Sequence, residues 1–192
     1  MGKLIFATHN SYKANEVKAL LSPDYEVLSL TDINCLEDIP ETGTSFAENA
    51  HIKSKYVSDN FNLDCFADDS GLEVEFLNNE PGIFSARYSG NRGDEVNLLY
   101  LLKKMEGQTN RKARFKTVIS LMLNGESVEF EGLINGTLRT EPTGGTGFGY
   151  DPIFQPDGFT ETFAQMSLDQ KNEISHRAIA MRKLIAYLKD KV

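Results

Sequence analysis

Cysteine, tryptophan and long apolar runs are scarce or absent in this chain. Its 192 residues include two cysteines and no tryptophan, and Cys35 and Cys65 form no CxxC pair. That usage excludes a disulfide framework or a zinc cluster and predicts a reducing compartment, which we take to be the cytoplasm. No stretch approaches the roughly 20 apolar residues of a membrane span, and the first apolar run is too short for a signal peptide, so we expect no membrane partner.

Positive charge is also scarce, because 20 lysines and arginines stand against 28 aspartates and glutamates and give a net charge of −8. A surface this acidic repels the phosphates of DNA and RNA, so we expect no nucleic-acid polymer as a partner. A single small anion is not excluded, because a local basic cluster or a metal ion can bind one inside an acidic protein.

What is present is an ordinary globular composition, with 40% hydrophobic and 25% charged residues. The length predicts a single domain over residues 1–192.

Apolar periodicity predicts strands at about 3–8, 25–30, 65–68 and 72–76. It predicts helices at about 11–22 and 45–59, a third after residue 93 and a fourth from about 176. Two β segments at about 112–123 and 127–134 flank Asn124-Gly125, a dipeptide typical of hairpins. The residues at 141–162 are predicted to be mostly loop. These elements predict an α/β fold with a mixed sheet.

The first candidate site is the turn at which a predicted strand ends and a helix begins. It comprises Thr8, His9, Asn10, Ser11, Tyr12 and Lys13. Unsatisfied N–H groups at the start of a helix favour an anion, and Lys13 adds a charge one turn in, so the turn can bind phosphate. An ordinary capped helix with a solvated lysine is the alternative that these residues leave open.

The second candidate is the pair Asp68 and Asp69 in the segment ADDSG. Side chains alternate along an extended strand, so one carboxylate is expected to point into a cleft and the other elsewhere. A carboxylate in a cleft can hold Mg²⁺ or accept a proton from water, and Ser70 can donate to a phosphate oxygen. The alternative is an Asp-Asp-Ser-Gly β-turn.

Acidic and basic candidates also surround the second predicted helix. Ser45 and Glu48 form a capping box, which gives Glu48 a structural role, whereas Glu41 in the preceding loop has none. Lys53 follows on the same helix, and its alternative interpretation, shared with Lys55, is a solvated helix lysine.

A glycine-rich loop and the start of the last helix complete the candidates. Four glycines lie in the six positions 144–149, and glycine permits close approach of the backbone to a ligand. Phe148 and Tyr150 offer ring faces that can stack on a base, and Asp151 offers an acceptor. A flexible loop with a buried aromatic anchor is the alternative.

The last candidates lie at and just before the start of the final helix, and they are Lys171, His176 and Arg177. Arg177 presents only hydrogen-bond donors. The alternative for His176 is a satisfied polar residue near a helix start.

Six motifs, taken together and in order, resemble one known family. They are T-x-N-x-x-K at 8–13, ETGxSFxENAxxK at 41–53, ADDSGL at 67–72, PGxxSARYSG at 81–90, GFGYDPIF at 147–154 and ISHR at 174–177. The chain resembles the inosine triphosphate pyrophosphatases over nearly its whole length. The resemblance implies Mg²⁺-dependent hydrolysis of ITP, dITP and XTP to the nucleoside monophosphate and pyrophosphate, which removes aberrant purine nucleotides from the pool. It also implies an elongated mixed sheet flanked by helices, two lobes with a central substrate cleft, and a homodimer.

The resemblance assigns roles to the matching residues. Asp69 matches the catalytic acidic residue that also contacts the metal, and Glu41 matches a second Mg²⁺ position for which Glu48 and Asp68 compete. The implied substrate-binding residues are Thr8, His9, Asn10, Ser11, Tyr12, Lys13, Lys53, Ser70, Phe148, Gly149, Tyr150, Asp151, Lys171, His176 and Arg177. Of these, residues 148–151 match the base-binding loop, and His9 stands where many relatives have glycine.

The expected chemistry follows from the charge of a triphosphate. We expect Mg²⁺ with Lys13, Lys53 and Lys171 to neutralise it, and Asp69 to orient or deprotonate the attacking water. Arg177 is expected to donate to the C6 oxygen of hypoxanthine and to face the C6 amino group of adenine unfavourably. The alternatives are a non-catalytic nucleotide-binding sensor and a related pyrophosphatase for other modified nucleotides.

Overall fold

The computed structural model describes residues 2–191 and is built on one six-stranded sheet with the strand order β2-β1-β3-β4-β5-β6. The strands are β1 (Gly2–Phe6), β2 (Tyr25–Ser29), β3 (Cys65–Val74), β4 (Lys112–Leu123), β5 (Glu126–Leu138) and β6 (Phe154–Pro156). The helices are α1 (Ser11–Leu21), α2 (Phe46–Phe61), α3 (Asp94–Lys104), α4 (Leu168–Ile174) and α5 (His176–Asp190). β1 pairs in parallel with β2 and β3, whereas β5 pairs with β6 antiparallel. The predicted α/β fold with a mixed sheet and flanking helices is confirmed.

The chain divides into two compact units, each made of separate segments. The first unit contains the segment that ends at Asp69, the segment Thr117–Gly132 and the segment that begins at Arg177. The second unit contains Ser70–Lys116 and Leu133–His176. The predicted single domain over residues 1–192 stays a prediction.

The core of the first unit follows from alternation along β1. Leu4 and Phe6 belong to one apolar cluster, and Ile5 and Ala7 belong to another. Successive side chains of a strand point to opposite faces of the sheet, so β1 supplies both clusters. The first cluster contains residues of α1 and α5, and the second contains Val57 of α2. Helices therefore cover both faces of this part of the sheet.

The core of the second unit is rich in aromatic side chains. Phe115 of β4 packs edge-on against Phe154 at a centroid distance of 4.7 Å and stacks on Phe163 at 5.8 Å. Leu98 and Leu101 of α3 join the same cluster. Large aromatic rings bury much apolar area, so this cluster holds the irregular segments that contain Tyr150 and Phe163 against the sheet.

The predicted hairpin is confirmed at Asn124-Gly125, whose φ angles of 52° and 82° suit the tight turn between β4 and β5. The predicted break after Asp68 is wrong, because β3 continues without interruption through Asp69, Ser70 and Gly71 to Val74. The β-turn alternative for this segment is therefore also wrong.

The helix α4 and the short strand β6 were not expected from the sequence. Across residues 2–191, no helix combines the length and the apolar character needed to cross a membrane.

Candidate active site

The turn between β1 and α1 is ordered by its own side chains. Asn10 caps α1, since its Oδ1 accepts a hydrogen bond from the backbone N–H of Lys13 at 3.1 Å. The Thr8 Oγ1 accepts one from the backbone N–H of Asn10, also at 3.1 Å. His9 Nε2 lies 2.9 Å from the carbonyl oxygen of Glu37. Ser11 and Tyr12 are exposed at the start of the helix.

Lys13 is not a solvated lysine, and that alternative is wrong. Its side chain is only 15% exposed, and Nζ donates to Asp68 Oδ1 at 3.0 Å. Burial lowers the pKa of Lys13; the carboxylate of Asp68 opposes this, while the neighbouring charges of Arg177 and Lys53 add to it. The structure therefore places a partly desolvated ammonium beside the capped turn.

Strand alternation separates the two adjacent aspartates of β3. Both are buried, with Asp68 2% and Asp69 5% exposed. Asp68 Oδ2 accepts hydrogen bonds from Nε and Nη2 of Arg177, each at 3.2 Å, and from Thr117 Oγ1 at 3.4 Å. With Lys13 on its other oxygen, Asp68 is held as an anion by protein cations. That arrangement makes Asp68 the weaker candidate for a metal ligand.

Asp69 has a different environment. Its Oδ2 accepts a hydrogen bond from Asn49 Nδ2 of α2 at 3.0 Å. Burial raises the pKa of Asp69, and Glu41 raises it further, although Lys53, Lys13 and the Asn49 hydrogen bond act in the opposite direction. A buried carboxyl with a raised pKa and nearby lysines is typical of a group that exchanges a proton or a cation.

Glu41 and Lys53 form a close ion pair beside Asp69. Nζ of Lys53 donates to Glu41 Oε1 at 2.6 Å, and the Lys53 side chain is 12% exposed. Burial alone would lower the pKa of Lys53, but Asp69, Glu41 and Asp68 together raise it. The solvated-lysine alternative is therefore wrong for Lys53, whereas Lys55 is 54% exposed.

The structure also separates the candidates for a metal. Glu48 accepts hydrogen bonds from the backbone N–H of Thr44 at 2.6 Å and from its hydroxyl at 2.9 Å, so it stabilises the start of α2. Half of the predicted capping box is present, because Ser45 Oγ accepts the backbone N–H of Glu48 at 3.2 Å. Glu48 keeps the predicted structural role, but with Thr44 and not Ser45 as the partner of its carboxylate. Within residues 2–191, no group of three or more His, Cys, Asp or Glu side chains is arranged to hold a metal ion. The carboxylates that remain for a metal are Glu41 and Asp69.

In the second unit, the glycine-rich loop is organised by a buried ion pair. Nζ of Lys171 donates to Asp151 Oδ2 at 2.6 Å, and both side chains are at most 5% exposed. The same Asp151 oxygen accepts the backbone N–H of Phe148 at 3.0 Å. The Lys171 ammonium lies 4.9 Å from the centroid of the Phe148 ring, within the range of a cation–π contact. These contacts fix Asp151 in place and stabilise the loop, and its predicted role as an acceptor for the base stays a prediction.

The structure does not support the prediction that the Tyr150 ring stacks on a base. Its ring is 3% exposed and belongs to the apolar core of the second unit, and its hydroxyl donates to the carbonyl oxygen of Ser85 at 2.8 Å. A ring enclosed in this way has no face for a base, so stacking by Tyr150 is not supported. Phe148 is half-buried and keeps that predicted role.

The remaining predicted residues lie as follows. Gly149 donates its N–H to Asp94 Oδ2 at 2.8 Å, and Ser70 is half-buried on β3. The His176 ring is 4% exposed and stacks on Phe115 at a centroid distance of 4.8 Å; that contact does not satisfy the ring nitrogens, so the alternative of a satisfied polar residue stays a prediction. Arg177 is 1% exposed. The substrate-binding roles of these residues stay predictions.

Replacing Gly147 by alanine is expected to disrupt the loop. Gly147 has a φ of 79°, and a Cβ at this position would overlap the carboxylate of Asp151. We expect a loss of about 2–4 kcal/mol in the free energy of unfolding, from backbone strain and from a displaced buried ion pair. Gly149→Ala is the matched control, because φ is also positive there but its Cβ would meet nothing within 4 Å. Equal losses in urea unfolding would contradict this account.

Two buried polar residues near the aspartates were missed by the sequence analysis. Asn49 bridges Asp69 and the backbone N–H of Gly43, which its Oδ1 accepts at 2.8 Å. Its position four residues before Lys53 on one helix was a usable signal, because such residues share a face. Glu16 is 4% exposed and accepts a hydrogen bond from Nη1 of Arg177. Its place one turn after Lys13 was the corresponding signal.

The structure is an α/β protein with two groups of buried, paired acids and bases, one around Asp68 and Asp69 and the other at Asp151 and Lys171. Such groups suit an anionic substrate. The model of the Ham1 family matches residues 4–187. The chain is 52% identical to the dITP/XTP pyrophosphatase of Christiangramia forsetii, over 97% of this chain and 98% of that protein. It is 49% identical to the dITP/XTP pyrophosphatase of Flavobacterium psychrophilum, over 98% of this chain and 100% of that one. The solved structure of the Staphylococcus aureus Ham1 protein superposes with a TM-score of 0.89 at 41% identity, covering 99% and 100% of the two chains. The chain belongs to the Ham1 family.

Proposed function

We propose that this protein hydrolyses dITP, ITP and XTP to the nucleoside monophosphate and pyrophosphate, and so removes aberrant purine nucleotides from the nucleotide pool. Support comes from the names of its relatives, which are dITP/XTP pyrophosphatases. The observation that carries the proposal is the buried cluster around Asp69, in which Glu41, Lys53 and Lys13 act on the same carboxyl group. Such a cluster combines an acceptor for a proton with cations for phosphate oxygens.

Magnesium is the metal that this cluster would suit. Mg²⁺ is usually held by one or two carboxylates together with substrate phosphates and water, so Glu41 and Asp69 provide an adequate pair of protein ligands. Burial is the main cause of the raised pKa of Asp69, and repulsion from Glu41 is a smaller one; a bound cation would counter both. When bound, the ion neutralises phosphate charge and lowers the pKa of a coordinated water.

The residues of the chain itself perform the remaining work. Asp69 orients the attacking water and accepts its proton, and burial, by raising the pKa of this carboxyl, makes it a stronger proton acceptor than an exposed aspartate. The ammonium groups of Lys13 and Lys53 bind phosphate oxygens and stabilise the charge that develops on the leaving pyrophosphate. Asn49 holds the Asp69 carboxylate in place through its hydrogen bond.

A pyrophosphate-release assay tests the proposal directly. Wild-type protein is incubated with dITP, ITP, XTP, ATP, GTP, dTTP or UTP, with Mg²⁺ or with EDTA. We expect release from dITP, ITP and XTP only, and only with Mg²⁺. Binding without release would favour a nucleotide sensor, and preference for a pyrimidine nucleotide would favour a related pyrophosphatase. Full activity in EDTA would contradict the role of the metal.

Lys13→Ala is expected to raise KM for dITP and XTP alike, by about tenfold or more, because the lost contact is to phosphate and phosphate carries no base identity. Lys18→Ala is the matched control, since Lys18 lies on the same helix in an ion pair whose side chains are 47% and 43% exposed. Steady-state kinetics on both nucleotides provide the measurement. A variant that loses one nucleotide and keeps the other contradicts the assignment of Lys13 to phosphate.

We also propose that the protein is a cytoplasmic homodimer. Val96, Leu99 and Tyr100 lie at helical spacing on α3 and are 50%, 53% and 39% exposed. An exposed apolar stripe of this kind commonly marks a protein interface. The two free cysteines, Cys35 and Cys65, are consistent with a reducing compartment. Sedimentation equilibrium should give twice the chain mass of 21.5 kDa, and a monomer at micromolar concentration would contradict the dimer.

A further inference from the structure

Glu16 is a buried carboxylate to which neither the sequence motifs nor the proposed mechanism gives a role. It lies on α1, one turn after Lys13, and is 4% exposed. Glutamate is rarely buried unless its charge is paired, so its position calls for a physical explanation. The neighbouring Val17 is fully buried, which shows that this face of α1 is directed inward.

The contacts of Glu16 connect it to the phosphate-binding turn. Its Oε2 accepts a hydrogen bond from Nη1 of Arg177. The other two donors of the Arg177 fork, Nε and Nη2, both reach Asp68 Oδ2 at 3.2 Å. The second oxygen of Asp68 accepts Nζ of Lys13 at 3.0 Å. Four charged groups therefore alternate in sign, from Glu16 through Arg177 and Asp68 to Lys13.

The charges in this array balance as two anions and two cations. If Glu16 lost its charge, the Nη1 donor that Arg177 now gives to Glu16 would compete with Lys13 for the carboxylate of Asp68. A guanidinium cannot lose its proton in a protein, and it binds a carboxylate with two parallel donors. Lys13 has only one contact to that carboxylate, so it is the cation that would be displaced.

We propose that Glu16 is a positioning residue for Lys13: by holding one side of Arg177, it leaves the second oxygen of Asp68 to the lysine and so fixes the ammonium that binds phosphate. This inference rests on the proposed function. Glu16 itself does not touch the substrate and acts through Arg177 and Asp68. The effect that it exerts through Lys13 concerns the triphosphate, whereas any effect that it exerts on the base through Arg177 would appear in the ITP-over-ATP ratio.

The test separates positioning from a merely structural role through KM. A variant that only unfolds in part lowers the amount of active enzyme and hence the apparent kcat, but it leaves KM unchanged. For Glu16→Gln, which removes the charge and keeps the shape, we expect KM for dITP and for XTP to rise together by about tenfold, with a smaller change in kcat. For Glu16→Asp, which keeps the charge, we expect KM within about threefold of wild type, because the long side chain of Arg177 can follow the carboxylate.

Glu26→Gln is the matched control. Glu26 lies on β2 in an ion pair with Lys3, and the two side chains are 41% and 69% exposed. Such a pair contributes little, so KM and the melting temperature of this variant should equal those of wild type. All variants are assayed by pyrophosphate release beside the wild-type enzyme.

Three results decide the matter. If wild type releases no pyrophosphate from dITP or XTP, the proposed function fails. If wild type is active and KM of folded Glu16→Gln stays within twofold of it, the positioning role of Glu16 is overturned while the function stands. If Glu16→Asp raises KM as much as Glu16→Gln, or about tenfold where Glu16→Gln does not fold, charge balance is overturned as the cause.

Discussion

Asp69→Asn is expected to lower the turnover of dITP by about two orders of magnitude or more, the usual scale for the loss of an acid–base group. The amide of asparagine cannot take a proton from water and is a poor ligand for a divalent cation. Its oxygen can still accept the hydrogen bond from Asn49, which is 3.0 Å from the carboxylate in the wild type. The variant should therefore remain folded, and single-turnover kinetics with saturating dITP measure the defect.

The same substitution is expected to raise the melting temperature in metal-free buffer. Burial holds the pKa of Asp69 above its ordinary value in the folded protein. The contribution of such a group to stability is present below its unfolded-state pKa and is lost as the pH rises through the folded-state pKa. The gain of Asp69→Asn over wild type should thus be small at about pH 4 and larger at about pH 8.

Asp68→Asn is the control for both readouts. It leaves the Asp69 carboxyl in place but removes the anion that pairs with Arg177 and Lys13. Its main effect should be a lower melting temperature. If Asp69→Asn kept near-normal turnover while Asp68→Asn lost it at equal folded fraction, the roles of the two carboxylates would be reversed.

Arg177→Ala is expected to cost about 3–5 kcal/mol in the free energy of unfolding, because it leaves Glu16 and Asp68 buried without their shared guanidinium. Urea unfolding of the purified variant measures this loss. Lys189→Ala is the control on the same helix, since Lys189 pairs with Asp24 in an ion pair whose side chains are 62% and 57% exposed. That exposed pair should contribute at most about 1 kcal/mol.

Kinetics on folded Arg177→Ala test the separate prediction that Arg177 recognises the base. If its donors select the C6 oxygen of hypoxanthine, the ratio of kcat/KM for ITP over ATP narrows, while the ratio for ITP over GTP changes much less. An unchanged ITP-over-ATP ratio together with a large loss of stability would assign Arg177 to the ion-pair network alone.

Local sequence patterns predicted the elements that depend on local chemistry. The sequence left Asn10 and Ser11 as possible caps of α1, and Asn10 supplies the cap. The hydrogen bond between Ser45 and Glu48 and the turn at Asn124-Gly125 also follow from residues within a few positions. The mixed α/β sheet followed from the order of helices and strands. These predictions agree with the structure because short-range hydrogen bonds and backbone preferences set them.

Ion pairs between residues far apart in the sequence could not be predicted from local patterns. Lys13 and Lys53 appear as surface lysines in a helical pattern, yet each is paired with a carboxylate, Asp68 in one case and Glu41 in the other. Strand β3 was expected to break at the adjacent aspartates, because Asp, Ser and Gly favour turns. Burial within the sheet overrides that preference once each carboxylate has its partners.

The Glu16–Arg177 ion pair, whose partners are 161 residues apart in sequence, has a consequence for biosynthesis. The ribosome makes the chain from its N-terminus, so Glu16 and Asp68 are translated long before Arg177 exists. In the nascent chain these two carboxylates have no guanidinium to face, and enclosing them in an apolar interior is unfavourable. The network of Glu16, Arg177 and Asp68 can therefore form only after Arg177 has been translated, close to the end of synthesis.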